Sequence, residues 1–163
     1  MKKHLDYPLI LIALLLITCK SEQGKNDHND TNLEAINDIE IQLNKAKIYF
    51  SYEDSLKNAI DIFQKTLQKS NAINYIPGII RSHLNLGYTY TGQSKLAQAT
   101  GHYYIGLKNA TLIKDTVHIS SSLYGLGLVM YNMNNWEEAK RYFTMALNLT
   151  NTDRKKSTTG YLL

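Results

Sequence analysis

The sequence predicts an all-α protein made of antiparallel helical hairpins stacked in one row. Three observations carry that prediction. The chain repeats itself every 40 residues: Ala59, Ala99 and Ala139 are followed four residues on by Phe63, Tyr103 and Phe143. Within each copy, small and large residues recur at intervals of three and four, which places them on one helix face. Only two of the 163 residues are proline, Pro8 and Pro77, and proline is what breaks long helices. A sequence with a fixed period in this range builds a repeat array, in which each unit buries its apolar face only by stacking on the next.

The composition is that of an ordinary globular chain, 44% hydrophobic and 20% charged. Its length suits one domain. The net charge is +4. Without Lys2, Lys3 and Asp6 it becomes 16 basic against 13 acidic residues. So small and dispersed an excess predicts no nucleic-acid partner for this segment.

The chain opens on Lys2, Lys3 and His4, followed by an unbroken apolar run from Leu9 to Ile17. Nine residues are too few to cross a bilayer, which takes about 20. The run fits the core of a secretory signal peptide over residues 1–18. It ends Leu16-Ile17-Thr18-Cys19, around the only cysteine in the chain. This resembles a bacterial lipobox, although Thr18 stands where Gly, Ala or Ser is usual. The resemblance implies an exported protein whose acylated Cys19 anchors it to a bacterial membrane, on the periplasmic or outer-membrane face. Residues 20–31 hold no apolar side chain, so 19–31 reads as a lipidated tether.

The repeats occupy 32–163, with copies at about 33–72, 73–112 and 113–152 and a partial fourth at 153–163. The aligned columns are Ala46, Leu86 and Leu126; Lys47, Gly87 and Gly127; Phe50, Tyr90 and Met130; and Thr66, Gly106 and Ala146. In Leu86-Gly87-x-x-Tyr90 the small residue admits a second helix and the ring one turn later fills the groove beside it. In Ala99-x-x-x-Tyr103-x-x-Gly106 two small residues flank a ring, so the ring is expected to insert between helices.

These motifs, together with Gly125-Leu126-Gly127-x-x-Met130 and Trp136-Glu137-Glu138-Ala139-x-x-x-Phe143-x-x-Ala146, resemble the tetratricopeptide repeat. Leu43, His83 and Leu123 occupy the family's first-helix Trp position, and the closing Pro is absent. The period of 40 exceeds the family's usual 34 and is similar to the extended repeats of kinesin light chains and many bacterial signalling proteins. The resemblance implies a right-handed α-solenoid.

The expected helices are Leu33–Tyr52, Asp54–Ser70, Ile76–Thr91, Ser94–Ile113, Thr116–Met133 and Trp136–Leu149. Pro77 suits a first helical turn. Gly92-Gln93 and Asn134-Asn135 suit tight turns. Asp115 and Asp153 suit helix N-caps. Residues 153–163 line up with the start of a first helix and end on Tyr161-Leu162-Leu163, an apolar half-helix. That pattern predicts either that the array continues beyond Leu163 or that its final residues fray.

No catalytic constellation is legible. The five histidines show no i+3 or i+4 pairing, so no metal site is expected. His83 reads as a core residue, with His102 and His118 on the surface. Glu137-Glu138 suits the positive end of a helix macrodipole better than acid–base chemistry. Gly125-x-Gly127 lacks the preceding strand that a phosphate loop needs. No enzyme activity, cofactor or small-molecule substrate is expected.

The expected function is binding of a protein or peptide. In the tetratricopeptide family the first helices line a concave groove. The resemblance implies a groove of Asn44, Ile48, Arg81, Asn85, Tyr88, Ser121, Tyr124, Leu128 and Tyr131, with Ser51, Leu84 and Thr91 beside them. Members that clamp a peptide carboxylate use Lys and Asn at two groove positions. Those positions here hold Asn44 and Ile48, Leu84 and Tyr88, and Tyr124 and Leu128. The expected groove is therefore aromatic and almost uncharged, with Arg81 near its middle. The alternative reading is the sensory part of a bacterial signal-transduction regulator, whose kinase or DNA-binding module would come after it.

Overall fold

The structure, a computed structural model, describes residues 31–47 and 56–160, with side chains described as far as Asn151. The chain divides into two units, Met1–Asn37 and Asp38–Leu163. Of the first, only the helical residues 31–37 are described. The second holds the repeats.

Six helices are described: α1 over 31–47, of which Asp38 onward belongs to the second unit, then α2 (Leu56–Ala72), α3 (Ile76–Gly92), α4 (Leu96–Leu112), α5 (Thr116–Asn132) and α6 (Trp136–Gly160). Each helix from α2 onward packs on the next, and α3 also touches α5. This is a tetratricopeptide-like helical solenoid. The alternating order makes α3 and α5 parallel neighbours and sets α4 antiparallel to both.

The repeat columns are the core. Ala46, Leu86 and Leu126 are fully buried, as are Ala59 and Ala99. Burying each such leucine contributes about 1.5–3 kcal/mol. The ring of Tyr103, 2% exposed, enters between two helices at their glycines. A Cβ on Gly87 of α3 would lie 2.9 Å from that ring, and one on Gly125 of α5 would lie 2.2 Å from it. The insertion expected from the motif is present, but the clasping small residues are Gly87 and Gly125, on the neighbouring helices. The expected flanking pair does other work: Ala99 is buried in the core, and Gly106 faces Leu84 and Ser122. Phe143 repeats half of this arrangement, with its ring against Gly127.

A finer period of 20 emerges from the backbone. Asn74, Ser94, Lys114 and Asn134 all have positive φ, between 53° and 59°. Each ends a helix with a Schellman motif: Tyr75 N–H bonds to the Ser70 carbonyl, Lys95 to Tyr90, Asp115 to Ala110 and Asn135 to Met130, at 2.8–2.9 Å. These bonds satisfy carbonyls that a helix end leaves open. Asn134 fits the expected Asn134-Asn135 turn. At the other expected turn the left-handed residue is Ser94, and Gly92 closes α3 with ordinary geometry. Lys114 is the least suited of the four, since a side chain in this region costs about 1–2 kcal/mol. Lys114→Gly should raise stability by about 1 kcal/mol in urea unfolding, and Asn134→Gly by less.

One cap and the first-turn proline conform to expectation. Asp115 accepts a bond from the His118 N–H at 3.1 Å, and Pro77 lies in the first turn of α3. Asp153 does not conform. It lies inside α6, which runs on to Gly160 without a break. The next turn in the 20-residue series would put Arg154 in the left-handed region. Arg154, Lys155 and Lys156 favour helix, and no later helix among the described residues rewards a turn there.

Polar contacts tie α1 to its neighbours. Lys69 pairs with Asp38 at 2.6 Å, and the Tyr75 hydroxyl donates to Glu40 at 3.0 Å. The turn expected between α1 and α2 lies outside the described residues.

Candidate peptide-binding groove

Along α3 and α5, side chains one helical turn apart share a face, and the two parallel helices present that face together. The result is a groove of about 580 Å³. Leu84, Asn85 and Tyr88 line it from α3, and Ser121, Tyr124 and Leu128 from α5. Tyr103 and Gly125 form part of its floor, and Phe143, Leu147 and Thr150 of α6 extend it. No Asp, Glu, Lys, Arg or His lines it.

Of the groove residues expected from sequence, Asn85, Tyr88, Ser121, Tyr124 and Leu128 are brought together here, with Leu84 beside them. Tyr88 and Tyr124 are both more than half exposed. Arg81 is placed differently. Its guanidinium pairs with Glu40 and donates to the side-chain amide oxygen (Oδ1) of Asn44 at 3.1 Å. The expected cation near the groove's middle is thus engaged by α1, and Asn44 with it. Tyr131 lies edge-on to Trp136, at 4.9 Å between ring centres. The two line an adjoining hollow of about 330 Å³ that shares Phe143 and Leu147 with the main groove. Thr91 donates back to the Gly87 carbonyl at 2.8 Å. Ile48, Ser51 and Cys19 lie outside the described residues.

Sequence reasoning missed the contribution of α6. Phe143 and Leu147 occupy the columns of Tyr103 and Leu107, which in the second copy are covered by α5. No described helix covers the same face of α6, so these side chains remain available to the groove. The signal for this is the 40-residue alignment itself.

A second feature escaped sequence reasoning altogether. His83 of α3 and His102 of α4 meet through their Nδ1 atoms at 2.9 Å. One ring N–H donates and the other nitrogen accepts. Tyr90 stacks on His102 at 5.4 Å. His83 is buried as expected, but His102 is half-buried against it. His118 is half-buried too, and its Nδ1 pairs with Asp115 at 2.6 Å. A 19-residue separation hides the His83–His102 pair from any search along a single helix.

Burial, and then the nearby His102, lower the His83 pKa to about 4. Burial lowers His102 as well. Unfolded histidine titrates near 6.5, so the unfolded chain takes up the proton first. The contribution to stability is full above about pH 6.5 and is lost as pH falls from there towards 4. His83→Leu, the residue type at the equivalent Leu43 and Leu123, should flatten the fall in the urea midpoint between about pH 7 and pH 5. An unchanged fall would contradict this assignment.

Among the described residues, no three His, Cys, Asp or Glu side chains stand together as metal ligands, and no helix is long and apolar enough to cross a membrane. No curated protein and no solved structure matched the chain. The family model for the tetratricopeptide repeat matched residues 120–153, which covers most of α5 and the first part of α6. The preceding hairpin, α3 with α4, repeats the same buried columns and the same turns forty residues earlier. The third hairpin is thus similar to a tetratricopeptide repeat by direct match, and the six described helices are consistent with an array of such repeats.

Proposed function

We propose that this chain is an exported scaffold, anchored through lipid on Cys19 to a bacterial membrane, that holds an uncharged segment of a partner protein without catalysing a reaction. Tetratricopeptide repeats are protein-binding modules, and that much follows from the fold. The observation that supports the finer reading is the lining of the groove. Two half-exposed tyrosines stand on parallel helices over an apolar floor, with Asn85 and Ser121 as the polar handles. Tyrosines of this kind are frequent energetic anchors at interfaces. No cation lines the groove, so nothing favours a terminal carboxylate or an acidic peptide. Extended and helical segments bearing two or three neutral apolar side chains suit it best.

Selection of displayed peptides on the full chain tests this. Neutral peptides rich in aliphatic or aromatic residues should be enriched. Their affinity should change less than about twofold between low and high salt, because no ion pair is made. Tyr124→Ala should weaken them at least about tenfold, in keeping with the loss of an interface anchor. Enrichment of acidic or carboxylate-ended peptides, or full binding by Tyr124→Ala, would refute the reading.

A further inference from the structure

We propose that His83 and His102 form a two-coordinate site for a soft monovalent cation, Cu(I) or its analogue Ag(I), held between their Nδ1 atoms. Neither histidine lines the groove, so this site lies beyond the binding role proposed above.

His83 is out of character with the repeat. The equivalent residues of the other copies are Leu43 and Leu123, both buried. Leucine there leaves no polar atom to satisfy. His83 is only 8% exposed, and it is satisfied by a second imidazole from the facing helix rather than by a backbone group. A core position that breaks the rule its copies keep is where function is expected.

The geometry suits an ion with two donors in line. The Nδ1 atoms are 2.9 Å apart and the ring centres 5.1 Å. With so little difference between the two distances, the nitrogens point at each other along nearly one line. The 42° between the ring planes is then a twist about that line, and the in-plane lone pairs still meet. Cu(I) and Ag(I), with filled d shells, are content with two nitrogen donors in line. Zn²⁺ takes a tetrahedral set of four, and no third His, Cys, Asp or Glu stands with this pair among the described residues.

Metal–imidazole bonds of about 2 Å require the nitrogens to part by about 1 Å. His102 can supply that movement, because it is half-buried and has solvent on one side. Tyr90 stacks on one face of its ring at 5.4 Å, which keeps the ring in register as it moves. Burial disfavours a proton on either ring, so both are neutral imidazoles, the form that binds metal. The ring that now donates from Nδ1 shifts its hydrogen to Nε2 by exchange with water. No net proton leaves, and the pair gains the single charge of the ion.

The experiment adds Ag(I), which needs no reductant, to the full chain carrying Cys19→Ser, which removes the one thiol that would compete. Imidazole ¹⁵N NMR reads each ring nitrogen separately. One equivalent should shift Nδ1 of His83 and of His102 together, leave the other histidines in place and raise the urea midpoint. His83→Leu, which restores the leucine of the equivalent columns, and His102→Gln should each weaken Ag(I) binding at least about tenfold. Shifts confined to other histidines, or binding unchanged by both substitutions, overturn the proposal. A shift of His102 that survives His83→Leu also overturns it, since a surface histidine would then act alone. Equally tight binding of Zn²⁺ by the pair overturns the two-coordinate assignment.

Discussion

Gly125→Ala should destabilise the protein by up to about 2 kcal/mol, and Gly101→Ala should stabilise it by up to about 1 kcal/mol. Both substitutions add one methyl group to the middle of a helix. On propensity alone each gains about 1 kcal/mol over glycine. The surroundings decide the sign. A Cβ on Gly125 would lie 2.2 Å from the Tyr103 ring and within 2.5 Å of two more of its atoms. The ring cannot retreat, because Gly87 and α3 close its other side. Overpacking of that kind typically costs about 1–3 kcal/mol. A Cβ on Gly101 meets nothing within 4 Å. Urea unfolding of the two variants side by side separates the effects. Equal shifts would mean that the ring is not clasped between α3 and α5.

Tyr103→Ala should cost about 3–5 kcal/mol, the range for removing a buried aromatic side chain. Its ring joins three helices, so the loss would fall on the contact between the second and third hairpins. The informative variant is the double one. With the ring gone, the methyl group of Gly125→Ala has room and the helix propensity of alanine is recovered. Tyr103→Ala with Gly125→Ala should therefore be no less stable than Tyr103→Ala alone. Such strong non-additivity is the signature of two residues in direct contact. Simple addition of the two losses would place the ring elsewhere.

Much of this architecture is legible in the sequence because repetition multiplies weak signals. One Ala-x-x-x-Tyr is commonplace, but three small-to-aromatic pairs in register at a spacing of 40 fix which face of each helix is buried. Turns are harder to read. Ser94 and Lys114 adopt a backbone geometry that their residue types do not advertise, and tertiary packing of equal-length helices imposes it. The groove is legible on the first helices, where Tyr88 and Tyr124 fall outside every packing column. Arg81 misleads because its partner Glu40 lies 41 residues away on α1, and charge pairing across that distance leaves no local pattern. The His83–His102 contact and the end of α6 escape for the same reason. Both depend on which helix lies opposite.

A partner held in the neutral groove between α3 and α5 should be reachable from both walls of that groove and from nowhere else nearby. A photo-reactive side chain placed at Tyr124, at Tyr88 or at Gln98, an exposed position on α4, tests this in the cell that makes the protein. The expected result is one shared protein adduct from positions 88 and 124 and none from 98. An adduct from 98 that positions 88 and 124 do not form would contradict it.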